Sequence, residues 1–266
     1  MRRHGGGLVN PLLQRALLAA EHAGEFLLHQ RPQSLAVESK STATDAVTEM
    51  DRASEALLVA ELVGDGDDGV LGEEGGERRG TSGVRWVLDP LDGTVNYLYR
   101  LPVWGVSVAA EQHGEVVAAV VRAPALGVTW FAGRGEGAWR VDGDAPARQV
   151  HVGTETDLAR SLIATGFGYD ANDRIRQVDR LGSIIGVVRD VRRAGAAAID
   201  LCWVADGTVD GYFEEGTHHW DRAAAGLIIV EAGGVICGAD GGPPTDPMTV
   251  AGNTSLAESL ATLVSR

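Results

Sequence analysis

The chain has 266 residues, of which 44% are hydrophobic and 23% charged, as in an ordinary globular protein rather than a disordered or fibrous one. Its formal net charge of -14 argues against a general nucleic-acid or anionic-membrane binder, because both of those partners are negatively charged. The two cysteines have no metal-ligand spacing, and no apolar run approaches the roughly 20 residues that a membrane-spanning helix needs. We therefore expect a cytoplasmic protein without membrane contact.

The first part of the chain predicts two helices followed by a sheet. Apolar residues recur at helical spacing over residues 8–29 and again over about 48–63. From about residue 70 to 152 the pattern changes to short apolar runs broken by glycine, with a hairpin turn at His113-Gly114. This pattern predicts a largely antiparallel sheet.

The second part of the chain predicts alternating strands and helices. The strands fall at 161–167, 210–214, 235–238 and 248–252, and the helices at 174–187, 196–207, 218–234 and 255–264. The last helix opens with a Ser255-x-x-Glu258 capping box. We therefore expect a single domain over residues 1–266, in which residues 1–152 form the helix pair and sheet half and residues 153–266 form an α/β half.

The stretch WVLDPLDGTVNY sets two aspartates, Asp89 and Asp92, three positions apart after an apolar run. Residues three apart in a continuous strand face opposite sides, so the two carboxylates converge only if Pro90 and Gly93 turn the chain. The amides of Gly93 and Thr94 would then open a short helix, where unpaired N–H groups and the helix dipole favour an anion. A simple turn without a ligand is the alternative, since Pro and Asp-Gly are common in turns.

Clustered carboxylates predict a bound cation. Two unit charges about 4 Å apart repel by roughly 4 kcal/mol at an effective dielectric constant of 20, and a hard divalent ion removes that cost. Oxygen ligands suit Mg2+, for which Mn2+ can substitute. Further candidates are Glu73 and Glu74, which lie between glycines after a predicted strand, and Asp221, which opens a long helix. For Asp221 alone, capping of the helix N-terminus is the simpler interpretation.

Several motifs occur together, in order, along almost the whole chain. They are K-S-x-x-T-D-x-V-T-x-x-D at 40–51, G-E-E at 72–74, W-V-L-D-P-L-D-G-T-x-N at 86–96, V-R-D-V-R-R-A-G-x-A-A-I-D-L-C at 188–202 and H-x-W-D at 218–221. This set resembles the inositol monophosphatase family. The resemblance implies an α/β (α+β) fold built as a layered αβαβα sandwich. It also implies a Mg2+-dependent, lithium-sensitive phosphomonoesterase that forms a homodimer.

The resemblance implies a metal site with two or three ions. Glu73, Asp89 and the backbone carbonyl of Leu91 would hold one ion. Asp89, Asp92 and Asp221 would hold a second ion, and Glu73 would help with a weaker third.

The resemblance also implies roles in catalysis. Thr94 and Asp51 would position the attacking water, Glu73 would support the reaction from the metal site, and the amides of Gly93 and Thr94 would bind the phosphate. Lys40 is the one lysine among 23 basic residues, and it would reach toward the same water network.

For the alcohol part of the substrate, Gly195, Ala197 and Glu214 match positions that contact the inositol ring in the family. Ala196 stands where the family usually has Ser or Thr, which removes a hydroxyl beside the ring site. A solvated carboxylate at a strand end is the alternative interpretation of Glu214. The implied substrate-binding set is Asp92, Gly93, Thr94, Gly195, Ala197, Glu214 and Asp221.

Three arginines, Arg189, Arg192 and Arg193, raise the question of a second phosphate on the substrate. Ion pairing with Asp190 and Asp200, or packing across a dimer interface, is the more economical interpretation.

We therefore expect hydrolysis of a small polyol or sugar monophosphate, first of all inositol 1-phosphate, by in-line attack of a metal-activated water. Histidinol-phosphate, fructose-1,6-bisphosphate and 3'-phosphoadenosine 5'-phosphate phosphatases of the same superfamily stay open as alternatives. A hypothesis of another class is an interaction partner of the transcription machinery, although the acidic charge disfavours direct contact with RNA.

Overall fold

The computed structural model describes residues 10–33, 37–39, 46–244 and 248–265. The helices are α1 (Pro11–His29), α2 (Glu49–Leu62), α3 (Thr94–Leu98), α4 (Ala171–Ile185), α5 (Ala197–Ala205), α6 (His219–Glu231) and α7 (Thr254–Val264). The strands are β1 (Val37–Ser39), β2 (Ala46–Thr48), β3 (Gly69–Gly72), β4 (Gly76–Arg78), β5 (Val84–Asp92), β6 (Gly105–Gln112), β7 (Glu115–Ala123), β8 (Val128–Gly133), β9 (Ala138–Asp142), β10 (Arg148–Gln149), β11 (Leu162–Thr165), β12 (Asp190–Arg192), β13 (Gly211–Glu215), β14 (Val235–Cys237) and β15 (Met248–Gly252).

Two large sheets carry the fold. The first has eight strands in the order β10-β9-β8-β7-β6-β5-β3-β4, and its pairs are antiparallel apart from the parallel pair β3–β5. The second has five strands in the order β12-β11-β13-β15-β14, with β11 parallel to both of its neighbours. The prediction of a largely antiparallel first sheet is therefore confirmed.

The layers alternate between helices and sheets. Helices α1 and α2 cover one face of the eight-stranded sheet, and α5 and α6 lie between the two sheets. Helices α4 and α7 cover the outer face of the five-stranded sheet. This arrangement is the αβαβα sandwich of a mixed α/β protein. Within the described stretches, no helix combines the length and the apolarity needed to cross a membrane.

Strand β5 is buried on both faces because it lies between two helical layers. Trp86 and Leu88 pack toward α1 and α2, whereas Val87 packs toward α5 and α6. A strand that is covered on both faces has a continuous run of apolar residues rather than alternating apolar and polar residues, which explains the sequence pattern before Asp89. Completely burying each of these side chains contributes about 1.5–3 kcal/mol. The strand that carries the two aspartates is therefore held rigidly.

The starts of α4 and α7 differ from the prediction because nearby side chains cap these helices earlier. Helix α4 begins at Ala171, since Asp170 accepts hydrogen bonds from the amides of the following turn. Helix α7 begins at Thr254, and the side chain of Asn253 accepts a hydrogen bond from Leu256 N at 3.0 Å. The predicted Ser255 capping box is therefore wrong, since Asn253 is the capping residue.

Candidate functional site

Asp89 and Asp92 converge through a bulge rather than through a turn. Asp89 pairs with Ser107 of β6 and Asp92 pairs with Gly105, so β5 has one residue more than β6 over this stretch. A one-residue bulge shifts the alternation of side chains, which lets residues three apart lie on the same side of the strand. The intervening proline fits a bulge because it has no N–H for the ladder. The predicted turn is wrong in form, since the strand continues through Asp92.

Directly after Asp92, Gly93 turns the chain into the short helix α3. Its φ of 85° lies in the left-handed region, and a Cβ at this position would meet Val103 O at 3.0 Å. Thr94, the first residue of α3, donates its hydroxyl to Asp51 Oδ1 at 2.8 Å and also lies 3.1 Å from Leu91 O. The structure thus brings Thr94, Asp51 and the Leu91 carbonyl together.

Asp51 lies on the buried face of α2 and is 1% exposed. Its second oxygen accepts hydrogen bonds from Thr48 N at 2.8 Å and Thr48 Oγ1 at 2.5 Å, which form the N-terminal cap of α2. Burial raises the pKa of Asp51, with Glu73 adding to the rise and the hydrogen bonds from Thr48 and Thr94 opposing it. Asp51 is therefore a fixed acceptor for the Thr94 hydroxyl.

Glu73 lies in the turn that joins β3 to β4. Its backbone N–H donates to Leu88 O of β5 at 3.3 Å, one residue before Asp89. The parallel pairing of β3 with β5 brings this turn alongside the end of the apolar run. The half-buried Glu73 carboxylate acts electrostatically on Asp89, Asp51 and Asp221.

Asp221 is the third residue of α6, and His218 occupies the N-cap position. The carboxylate of Asp221 accepts a hydrogen bond from His218 N at 2.6 Å, so it does contribute to capping. The alternative based on capping was therefore right in kind, but Asp221 is not itself the N-cap residue. The same side chain also interacts with Glu73, Asp92 and Glu214.

The four acidic groups at the site repel one another. Burial, and then the charges of Glu73, Asp92 and Asp221, hold the pKa of Asp89 well above its usual value. Burial and Glu73 likewise raise the pKa of Asp221 strongly. Burial raises the pKa of Asp92 to about 7, against the opposing effect of amides in the first turn of α5. A buried group of carboxylates disfavours its own ionisation and so favours a counter-cation.

This donor set fits a hard divalent cation by its chemistry. Carboxylate oxygens and one backbone carbonyl are the ligands that Mg2+ and Mn2+ take in proteins. Within the part of the chain that the structure describes, no three acidic, histidine or cysteine side chains already surround one point as a ligand cage. The fit therefore rests on ligand type, burial and mutual repulsion.

The N-terminus of α5 meets strand β5 at Asp92. The two carboxylate oxygens of Asp92 accept hydrogen bonds from Ala197 N at 3.0 Å and Ala198 N at 2.9 Å. The N-cap residue of α5, Ala196, has no side chain for this purpose, so the carboxylate of a neighbouring strand satisfies the first amides. Gly195 adjoins the same region, because a Cβ on Gly93 would lie 3.3 Å from Gly195 O.

Glu214 lies on β13, in the second sheet, and faces the same site. Its Oε2 accepts a hydrogen bond from Tyr212 Oη at 2.6 Å. The carboxylate packs directly against Gly166, where a side chain would collide with it. Its charge raises the pKa of Asp92 and of Asp221, so the alcohol-binding candidate adjoins the metal-binding candidates.

The expected ion pairs of the arginine cluster form only in part. Arg192 pairs with Asp190 at 2.6 Å, as expected. The two carboxylate oxygens of Asp200 are buried, and no ion pair to Asp200 forms among the described residues. Burial raises the pKa of Asp200 to about 8, with Glu214 and Asp92 adding to the rise and the Ala194 amide and Arg193 opposing it. The expected pairing with Asp200 is therefore wrong.

One candidate from the sequence is not placed, and three residues near the site were missed. Lys40 lies outside the described residues. Ser54 and Glu55 follow Asp51 at helical spacing, and Tyr212 precedes Glu214 by two positions on the same face of β13. Buried polar residues at positions i+3 and i+4 from a candidate site residue were the available signal.

Known proteins resemble the chain over most of its length. The family model described as the inositol monophosphatase family matches residues 9–266. The chain belongs to the inositol monophosphatase family. An inositol-1-monophosphatase of Rhizobium meliloti (strain 1021) is 39% identical over 262 residues, which cover 96% of each chain. The Nus factor SuhB of Pasteurella multocida (strain Pm70) is 39% identical over 240 residues, 88% of this chain and 87% of that protein.

The fold comparison agrees with the sequence comparison. The crystal structure of the extragenic suppressor protein SuhB from Bartonella henselae superposes with a TM-score of 0.89 at 33% identity, covering 97% of this chain and 99% of that one. The expected family and the layered fold are thus confirmed. As a member of the inositol monophosphatase family, the chain is a phosphatase for small phosphorylated substrates, and proteins of that family are generally metal-dependent.

Proposed function

We propose that the chain is a cytoplasmic, Mg2+-dependent and lithium-sensitive phosphatase that hydrolyses a small polyol or sugar monophosphate, with inositol 1-phosphate as the first candidate. The observation that carries the proposal is the carboxylate cluster of the buried Asp89 and Asp92 with the half-buried Asp221 and Glu73, whose charges oppose one another. The similarity to inositol-1-monophosphatases supports the choice of substrate.

The ligand roles follow the resemblance to the inositol monophosphatase family. Glu73, Asp89 and the Leu91 carbonyl would hold one ion, and Asp89, Asp92 and Asp221 a second, with Glu73 contributing to a weaker third. When bound, Mg2+ supplies Lewis acidity that lowers the pKa of a water and offsets charge on the phosphoryl oxygens. Two or three Mg2+ ions, replaceable by Mn2+, agree with the number of carboxylates.

Thr94 and Asp51 would orient the attacking water. The Thr94 hydroxyl donates to Asp51 Oδ1 at 2.8 Å, so its lone pairs are left to accept a hydrogen bond from a water in front of it. Asp51 is held by the cap of α2 and cannot swing away without breaking that cap. The amides of Gly93 and Thr94 would bind the phosphate. Attack would then proceed in line without a covalent enzyme intermediate.

Lys40 is assigned to the water network on the resemblance alone. A Lys40→Arg variant should lose turnover or metal affinity, because a guanidinium is wider than an ammonium and differs in its donor geometry. Unimpaired turnover together with unimpaired metal affinity in this variant would remove Lys40 from the site.

Glu214, with Gly195 and Ala197, would bind the alcohol part of the substrate. The Glu214 carboxylate is oriented by Tyr212 and can accept hydrogen bonds from hydroxyl groups. Asp92 and Asp221 would face the same group from the metal side. Ala196 offers only a methyl group beside this region, so selectivity would depend on Glu214.

The test is phosphate release from a panel of monophosphates and bisphosphates, with Mg2+ and with or without Li+, for the wild type and Asp92→Asn. We expect Mg2+-dependent turnover that favours monophosphates, is inhibited by Li+ and is lost in the variant. Absence of turnover on every substrate, or full activity of the variant, would disprove the enzyme proposal. Preference for a histidinol phosphate, a sugar bisphosphate or a nucleotide phosphate would select one of the related activities instead.

A second candidate role is suggested by the similarity to a protein named Nus factor SuhB. The chain could act beside the transcription machinery by protein contact, since its charge of -14 disfavours RNA. Co-migration of the purified chain with purified transcription complexes in gel filtration would support this role. An unshifted elution volume would exclude it under those conditions.

We also propose a homodimer. Helix α4 exposes three apolar side chains at helical spacing, Ile175, Val178 and Ile185, which are 64%, 55% and 48% exposed. Burial of such a stripe between two copies would remove it from water. Light scattering after gel filtration should give twice the mass of one chain, and Val178→Glu should shift it to the monomer. A monomeric wild type would contradict the proposal.

A further inference from the structure

Glu55 is a buried acidic residue that the proposed chemistry does not use. It lies on α2, one helical turn after Asp51, and is 7% exposed. Its Oε2 accepts a hydrogen bond from Glu74 N at 2.9 Å, and its Oε1 accepts one from Gly75 N at 2.7 Å. One carboxylate thus fixes two successive amides of the turn that carries Glu73.

The glycines of this turn are required by the closeness of Glu55. A Cβ at Gly75 would lie 2.6 Å from Glu55 Oε1, and one at Gly72 would collide with the same carboxylate. Neither glycine has a positive φ, so close approach rather than backbone freedom explains both. The glycines of the sequence LGEEGG therefore leave room for the Glu55 carboxylate of α2.

Glu73 is held from two sides as a result. Its own N–H donates to Leu88 O at 3.3 Å, which ties it to the strand that carries Asp89. The next two amides are tied to Glu55. Helix α2 contacts the bulge as well, because Ser54 Oγ donates to Pro90 O at 2.9 Å.

We propose that Glu55 is a positioning residue that sets the affinity of the divalent-cation site by holding the Glu73 turn against β5. The inference rests on the proposed function, because it takes Glu73 as a metal ligand. Without Glu55, two amides in a half-buried turn lose their acceptors, and the turn relaxes toward other partners. Partners of this kind, which orient a ligand without touching the metal, typically change metal affinity by about 10–100-fold.

The test measures Mn2+ binding directly, by electron paramagnetic resonance of the free ion, on the full chain without substrate. We expect Glu55→Ala to bind at least about tenfold more weakly than the wild type, and Glu55→Gln, which keeps one acceptor oxygen, to lie between them. Circular dichroism verifies that each variant is folded.

Glu231 provides a matched control. Its carboxylate accepts hydrogen bonds from Gly135 N at 2.8 Å and Gly137 N at 2.9 Å, so it holds another glycine turn in the same way. It lies at the other end of α6 from Asp221, about 15 Å away at 1.5 Å per residue. Glu231→Ala should lower the melting temperature and leave Mn2+ binding unchanged. An equal loss of binding in Glu231→Ala and Glu55→Ala would mean general destabilisation and would overturn the proposal.

Gly75→Ala gives a second test, and its effect on the wild type can be measured without the Glu55→Ala protein. The added methyl group should displace the turn and weaken Mn2+ binding in the wild type, but should have less effect beside Glu55→Ala, where its obstacle is gone. Additive effects would overturn the proposal. Failure of the wild type to bind Mn2+ would instead overturn the proposed function, and the positioning role with it. Normal wild-type binding with an unaffected Glu55→Ala would overturn the positioning role alone.

Discussion

Removal of the Asp92 charge should flatten the pH dependence of stability in the metal-free protein. Burial raises the pKa of Asp92 from 3.8 to about 7. Since each tenfold change in proton affinity corresponds to about 1.4 kcal/mol, ionisation of Asp92 in the folded state costs up to about 4 kcal/mol. Because the pKa of Asp92 is higher in the folded state than in the unfolded state, binding of a proton to Asp92 stabilises the folded protein. This contribution to the free energy of unfolding is complete below about pH 4 and is lost as the pH rises through 7.

Asp92→Asn separates the charge from the hydrogen bonds. The amide keeps one oxygen for Ala197 N or Ala198 N and loses the other acceptor, at a cost of about 1–3 kcal/mol that does not vary with pH. The free energy of unfolding of the variant, relative to that of the wild type, should therefore rise by up to about 4 kcal/mol between pH 4 and pH 8.

The assay is urea unfolding in EDTA, followed by tryptophan fluorescence at several pH values. Asp170→Asn is the matched control, because Asp170 also accepts two helix amides but is exposed to solvent. Its stability curve should run parallel to that of the wild type. A parallel curve for Asp92→Asn as well would refute the electrostatic reasoning.

Three further changes test separate parts of the site and fold. Thr94→Ala should lower kcat by about 10²–10⁴-fold because it removes the hydroxyl that Asp51 orients, whereas Thr94→Ser should keep most of the activity. Steady-state kinetics that show a change in KM alone would contradict this prediction. Tyr212→Phe should raise KM by roughly tenfold with little change in kcat, because Glu214 loses the hydroxyl donor that orients it. An unchanged KM would count against a role of Glu214 in substrate binding. Asn253→Ala should lower the free energy of unfolding by about 1–2 kcal/mol, because α7 loses its N-cap, and should leave the kinetics of phosphate release unchanged. Urea unfolding at the wild-type midpoint would contradict the capping assignment.

Much of the fold followed from local patterns. Apolar residues at helical spacing predicted α1 and α2, and glycine-broken runs predicted the antiparallel sheet. The starts of α4 and α7 were misplaced because their capping residues, Asp170 and Asn253, lie before the predicted starts at Arg174 and Ser255. Capping depends on which side chain reaches the amides, and spacing in the sequence does not determine that.

The site was predictable where its residues form motifs and not where they meet through tertiary structure. The convergence of Asp89 and Asp92 was predicted, but the bulge that joins them depends on the register with β6. Glu55 was missed because its partners are amides of a distant turn. Asp200 was expected to pair with an arginine, yet its position on α5 keeps both carboxylate oxygens buried and without an ion pair among the described residues.

The most direct test of the central claim is phosphate release from inositol 1-phosphate as a function of Mg2+ concentration, for the wild type and Asp89→Asn. Asp89 is 2% exposed and interacts with each of the other carboxylates of the cluster, so its loss should affect the whole site. We predict saturable activation of the wild type by Mg2+ and a loss of turnover in the variant that additional Mg2+ does not restore. Turnover of the wild type in EDTA, or the same activation curve for both proteins, would contradict the account.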